Sequence, residues 1–266
     1  MKIRNNIFVV TGGGNGMGRE IVLQLLAGGA KVVAADINEP SLWETWNLAG
    51  RYQSSLTRHV ADITDPASVE ALKKKTLDTY GRVNGLINCA GIIQPFVSIN
   101  DISMEAAERV MKINYYGTLN MTKAFLPCLL ASDEGHIVNI SSMGGFLPVA
   151  GQAIYGASKA GVKLLSECLH SELSGTNVSV TTVFPGAVCT DIKTNSGLGQ
   201  EAYNNDREKA AKILQAPDAA RIILRAMEQN RRTVYPGKDS VSMHMLYSIA
   251  PGFATKLIHK KIQHKM

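Results

Sequence analysis

Short, almost continuous apolar runs recur along this chain, with helical periods between them. They include IFVV from Ile7, KVVAA from Lys31, GLINCA from Gly85 and VSVTTVF from Val178. A half-exposed strand alternates apolar and polar residues, whereas a run apolar at nearly every position belongs to a strand buried on both faces. Strands are expected at Ile7–Thr11, Lys31–Asp36, Thr57–Ile63, Gly85–Ala90, His136–Ser141, Val178–Phe184 and Thr233–Tyr235. Between them, Met17, Ile21, Val22, Leu25 and Leu26 share one helical face, and Thr64-Asp65-Pro66 starts a helix carrying Val69, Leu72 and Leu77. Longer helices are expected from about 104 to 130 and from Tyr155 to Leu173. The alternation predicts an α/β fold, a doubly wound parallel sheet of about seven strands flanked by helices.

Composition narrows the function classes. With 45% apolar and 19% charged residues the chain can bury a core, and its 24 glycines show no collagen-like period. No repeat or linker divides it, so residues 1–250 are expected to form one domain and 251–266 a basic helix or tail. The opening MKIRNN lacks the pattern of a signal peptide, and no run approaches the roughly 18 apolar residues that span a bilayer. Cys89, Cys128, Cys168 and Cys189 are widely spaced with no histidine cluster, which reads as reduced thiols in a cytoplasmic protein and no metal site. Basic residues outnumber acidic ones 28 to 22, but Lys256, Lys260, Lys261 and Lys265 supply four of that excess. The body is therefore close to neutral and no nucleic-acid partner is expected.

The turn after the first strand reads Thr11-Gly12-Gly13-Gly14-Asn15-Gly16-Met17-Gly18. Glycines at 12, 16 and 18 let the backbone turn sharply and bring a helix N-terminus to a pyrophosphate. Taken alone, the turn is either that or a tight strand–helix connection. The second strand ends in Asp36, and an acid there accepts hydrogen bonds from ribose hydroxyls and repels a 2′-phosphate. Asn15 and Ile37 supply no cation for such a phosphate, which favours NAD over NADP. The other reading is that Asp36 caps the turn beside Asn38 and Pro40.

Tyr155 and Lys159 stand four apart at the start of a helix, on one face. A cation close to a phenol favours the phenolate and lowers its pKa from about 10, making a general acid/base for alcohol–ketone chemistry. Ser142 lies at the end of the fifth strand, where open α/β sheets bind ligands. With TGGGNGMG, NCAG, Asn114 and PGAVCT in order from residue 7 to about 192, the chain resembles the short-chain dehydrogenase/reductase family.

The resemblance implies a single Rossmann-type domain. Tyr155 would exchange a proton with the substrate oxygen, Ser142 would polarise it, and Lys159 would hold the nicotinamide ribose. Asn114 would hold a relay water. Gly12, Gly14, Asn15, Gly16, Met17 and Gly18 would cradle the pyrophosphate, and Asp36 and Ile37 the adenosine ribose. Asp62 and Ile63 would flank adenine, with Asn88, Ala90 and Gly91 lining the cleft. Pro185, Gly186, Val188 and Thr190 would face the nicotinamide, and residues 187–215 would close over the substrate. The family pattern has a second Asn where this chain has Cys89, either a packing change or a redox-sensitive thiol. A homodimer or homotetramer would form through the helices at 104–130 and 155–174.

The expected activity is NAD-dependent hydride transfer on a secondary alcohol or ketone. Ile92, Ile93, Pro95, Phe96, Met143 and Phe146 either make an apolar entrance suited to a steroid, fatty or aromatic substrate or belong to the core. Gln152 is a candidate substrate contact. The alternatives are an NADPH-dependent ketone or 3-oxoacyl reductase and, in another class, a non-catalytic dinucleotide sensor. In the tail, Phe253, Leu257, Ile258 and Ile262 share a helical face. They either touch a membrane peripherally or pack on the body or a neighbouring subunit.

Overall fold

The computed structural model describes residues 1–190, 192–198 and 213–262. Its strands are β1 (Ile7–Thr11), β2 (Lys31–Asp36), β3 (Leu56–Val60), β4 (Gly85–Asn88), β5 (Gly135–Ile140), β6 (Val178–Val183), β7 (Val188–Cys189), β8 (Leu214–Gln215) and β9 (Thr233–Val234). Seven form one sheet in the order β3-β2-β1-β4-β5-β6-β9, every pairing parallel, and β7 pairs with β8 apart from it. The helices are α1 (Gly16–Ala27), α2 (Glu39–Ala49), α3 (Pro66–Tyr80), α4 (Met104–Met111), α5 (Thr118–Leu130), α6 (Ala153–Glu172), α7 (Ile192–Asn195), α8 (Ala216–Glu228), α9 (Lys238–Ile249) and α10 (Pro251–Ile262).

Side chains of a strand alternate between faces, so each apolar run feeds two cores. Phe8, Val10, Val32, Ala34 and Val138 meet α1, α2 and α8 on one face. Val9, Val33, Leu86, Ile137 and Val180 meet α3, α5 and α6 on the other. This is the doubly wound sheet expected from the continuous apolar runs.

Most expected boundaries shift by one or two residues, and three differ for a clear local reason. β3 stops at Val60, because Asp62 turns the chain: its Oδ1 accepts the Thr64 N–H at 2.8 Å, and Asp65 then caps α3. β4 stops at Asn88, because the N–H groups of Cys89 and Ala90 leave the ladder and donate to Thr11 Oγ1 at 3.1 and 3.2 Å. The single helix expected over 104–130 is α4 and α5 joined by a π-helical turn, Lys112–Gly117. Such turns occur frequently at functional sites; this one holds Asn114, fully buried.

Candidate active site

The carboxyl ends of β1, β2, β4, β5 and β6 open on one side of the sheet, where the ligand crevice of such folds lies. At β1 the chain enters the glycine turn. Gly12 has φ +69°, and a Cβ on it would stand 2.9 Å from the Ala90 backbone, so the turn and the β4 end approach more closely than a side chain allows. A Cβ on Gly18 would collide with the Gly12 carbonyl. The first turn of α1 is thereby pressed onto the loop, at the helix end whose dipole favours an anion. Asn15 Oδ1 accepts the Gly16 N–H at 2.7 Å, and Thr190 sits over Gly16, 3.2 Å from where its Cβ would be.

Asp36 lies at the carboxyl end of β2, against the glycine turn. Its Oδ2 accepts the Gly14 N–H and its Oδ1 the Asn38 N–H, both at 3.0 Å. Asp36 therefore caps the turn at Asn38, the second of the two readings, and also ties down the glycine loop. Ile37 is 68% exposed beside it. Arg19 is a nearby cation that the sequence reading passed over, and it is committed elsewhere. Its Nη2 and Nε donate to Gly14 O at 2.6 and 2.9 Å, and it pairs with Glu44. Asp62 is half-buried at the start of the turn, while the Ile63 side chain is buried and lies where a Cβ on Gly117 would be.

Ser142, Tyr155, Lys159 and Asn114 come together beyond β4 and β5. Ser142 is extended, and its Oγ accepts the Gly144 N–H at 3.1 Å. A Cβ on Gly144 would lie 3.4 Å from the Tyr155 ring and 3.6 Å from Ser142 Oγ, so the two hydroxyl-bearing side chains flank Gly144. Lys159 is buried, and its Nζ donates to Ile140 O at 2.9 Å. Gly91 leaves room for both Lys159 Nζ and Asn114 Oδ1, each 3.2 Å from its Cβ position. Asn114 clasps Ile92: its Oδ1 accepts the Ile92 N–H at 2.8 Å and its Nδ2 donates to Ile92 O at 2.9 Å. Asn88 is turned inward, its Nδ2 donating to Asn139 Oδ1 at 2.8 Å.

The electrostatics differ from the sequence expectation. Burial pushes the Tyr155 phenol above its ordinary value, with contact from Ser142 pulling the other way. Burial lowers the Lys159 ammonium to about 8. At the phenol, desolvation thus outweighs the Ser142 contact. Cys89 is pushed up to about 12 by burial, which makes it an inert packing thiol.

Two supporting residues escaped sequence reasoning. Gln94 is 1% exposed and caps the catalytic helix: its Oε1 accepts the Tyr155 N–H at 2.8 Å and its Nε2 donates to Gly151 O at 3.1 Å. Asp239 braces the Pro185–Gly186 turn, its Oδ2 accepting the Ala187 N–H at 2.8 Å, and a Cβ on Gly186 would collide with its carboxylate. Ser240 Oγ adds a bond to Phe184 O at 2.6 Å. Gln152, expected at the substrate, is buried instead and donates to the carbonyls of Gln94, Pro95 and Gly151. Ile92 is also buried, and Phe146 packs among Phe184, Tyr235, His244 and Tyr247. Of the entrance residues, Ile93, Pro95, Phe96, Met143 and Phe146 stay half-exposed, Met143 and Phe146 packed partly against the C-terminal helices. Ser196 Oγ accepts the Ile93 N–H at 3.0 Å, placing that part of the 187–215 segment at the entrance; residues 191 and 199–212 lie outside the described residues.

A parallel Rossmann-type sheet with a glycine turn at β1 and a Ser–Tyr–Lys set beyond β5 defines a class of dinucleotide-fold oxidoreductases. The family model described as short chain dehydrogenase matches residues 6–201. Dehydrogenase/reductase SDR family member 7B of Mus musculus is 31% identical over 262 residues, covering 96% of this chain and 81% of that protein. A short chain dehydrogenase from Burkholderia cenocepacia J2315, solved in complex with NADP, superposes with a TM-score of 0.80 at 26% identity, covering 97% of this chain and 99% of that one. A short chain dehydrogenase/reductase from Burkholderia phymatum, solved with NAD, has the same fold: TM-score 0.82, 24% identity, 94% and 96% covered. The chain belongs to the short-chain dehydrogenase family and is an oxidoreductase.

Among the described residues, no group of three or more His, Cys, Asp or Glu is placed to hold a metal ion, and no helix is long and apolar enough to cross a membrane.

Proposed function

We propose that the protein transfers hydride between NAD(H) and a secondary alcohol or its ketone, of lipophilic character, with Tyr155 as the proton-exchanging group. The observation that carries this reading is the convergence of Ser142, Tyr155 and Lys159 beside Gly91 and Gly144, at the carboxyl ends of β4 and β5. The glycine turn fits a dinucleotide, because it brings the α1 N-terminus, whose dipole favours an anion, to the carboxyl end of β1 through backbone contacts that no side chain would allow. Gly12, Gly14, Asn15, Gly16, Met17 and Gly18 would hold the pyrophosphate, Asp36 and Ile37 the ribose, and Asp62 and Ile63 the adenine. Ala90, Gly91, Pro185, Gly186, Val188 and Thr190 would hold the nicotinamide half, with Asn88 lending only backbone. When bound, the nicotinamide supplies or takes the hydride at the substrate carbon.

The chain's own residues manage the oxygen. In the reducing direction Tyr155 Oη gives its proton to the oxygen as negative charge develops there, and Ser142 Oγ–H donates a hydrogen bond to the same atom. Lys159 keeps one N–H on Ile140 O and has two left for a ribose hydroxyl and the proton path. Asn114 acts by fixing the Ile92 backbone. A phenol that holds its proton at neutral pH suits ketone reduction, and the half-exposed Ile93, Phe96 and Met143 suit an apolar substrate.

Solved relatives of this fold carry NAD in one case and NADP in another, so the choice rests on Asp36 and on Arg19 being committed to Gly14 and Glu44. Fluorescence titration with NADH and NADPH tests it. NADH should bind at least about tenfold more tightly, and replacing Asp36 with Ala and Ile37 with Arg should erase that preference. Tighter NADPH binding by the unaltered protein would establish the NADPH-dependent reductase instead.

A further inference from the structure

We propose that the outward face of α9 and the start of α10 form a docking surface for an anionic lipid bilayer. The helix α9 carries apolar side chains on two faces. Inward, Met243, Leu246 and Tyr247 pack with Leu147, Ala254 and Ile258. Outward, Val241, Met245 and Ile249 recur every four residues on one face, exposed by 39%, 60% and 86%. Phe253, 62% exposed, follows in the first turn of α10. A helix on a protein surface ordinarily turns charged and polar residues to water. Single exposed apolar residues are common, but three at this spacing on α9, followed at the start of α10 by exposed Phe253, mark a surface that takes a partner.

Charge identifies the partner. Asp239 is the last acidic residue of the sequence; the stretch after it holds Lys256, Lys260, Lys261 and Lys265 and no Asp or Glu. Lys256 and Lys260 are exposed on α10, the helix that begins with Phe253. A second copy docked by a twofold axis would set these lysines against their equivalents. A phosphate-bearing bilayer surface would instead neutralise them while accepting the apolar stripe, the division seen in interfacial helices.

The tail's anticipated apolar face is a different one. Ala254 and Ile258 are buried against the body and Leu257 is half-buried, so of that face only Phe253 remains available among the described side chains. The same helix pair packs inwardly on Met143, Phe146 and Val149, the segment that follows Ser142. Docking would therefore set the substrate side of the site near the lipid, although docking itself does not depend on which substrate is turned over.

Co-sedimentation of the full chain with vesicles tests the proposal. Phosphatidylcholine–phosphatidylserine vesicles should pellet the protein, more so at low salt, and phosphatidylcholine alone should pellet much less. Ile249→Asp or Phe253→Asp should each reduce partition about tenfold or more. The pair Lys256→Gln and Lys260→Gln, which leaves the apolar stripe intact and guards against misfolding of the first variants, should reduce it about fivefold per lysine. NADH binding should stay at the unaltered level in all of them. Equal binding to neutral and anionic vesicles, or binding that survives Ile249→Asp, would overturn the proposal. So would absence of vesicle binding together with a solution mass that halves in Ile249→Asp, since the patch would then lie between two copies.

Discussion

Tyr155 and Lys159 are displaced in opposite directions by the same burial, the phenol upward and the ammonium downward to about 8. Below about 8 the lysine is charged and the tyrosine protonated, the pair that ketone reduction uses. As pH rises through about 8, Lys159 loses its charge while Tyr155 still holds its proton. Reduction should therefore be level below about 8 and fall about tenfold per pH unit above it. The kcat/KM profile checks this, and Lys159→Met should remove the inflection as well as lower the rate. These two residues were legible in the sequence because they are four apart on one helix, and Asp36 because it ends a strand. The drop in the lysine pKa was not legible, since it depends on what buries Nζ. Gln94 and Asp239 were invisible for a related reason: their partners Tyr155 and Ala187 lie 61 and 52 residues away.

The elements themselves were legible wherever a run of apolar residues forced them. β1 and β2 fall on the expected residues, since their ladders are buried on both faces. The ends of β3 and β4 were not, because side chains of Asp62 and Thr11 draw the backbone out of the ladder. The π turn at Lys112–Gly117 leaves no periodic signal in so short a stretch. Two elements set the chemistry through their ends. Gln94→Leu should leave the Tyr155 N–H unpaired at the first turn of α6, lowering kcat about tenfold with the KM for NADH unchanged. Asp239→Ala frees the turn at Pro185 and Gly186, so it should raise the KM for NADH several-fold, and Asp239→Asn should recover part of the loss. Steady-state kinetics with varied NADH separates the two; equal effects on kcat and KM from both would contradict this division.

At the scale of the whole molecule, the described residues form one layered α/β sheet, and the C-terminal helix pair packs on the segment that follows β5. We propose that it assembles as a homodimer or homotetramer through α4, α5 and α6, where Tyr116 and Leu164 are exposed by 53% and 61%. Leu164→Asp should reduce the solution mass by light scattering, and an unchanged mass would move the interface elsewhere. The exposed stripe of α9 was beyond sequence reading, because apolar residues on both faces of a helix do not reveal which face the body covers. Turnover is the most direct test of Tyr155 as the proton-exchanging group. Loss of NADH absorbance should be followed with lipophilic secondary ketones, for the unaltered protein and for Tyr155→Phe. The account predicts NADH-dependent reduction that Tyr155→Phe lowers by about 100- to 10,000-fold while NADH binding is kept. A Tyr155→Phe protein that reduces ketone at the unaltered rate would contradict it.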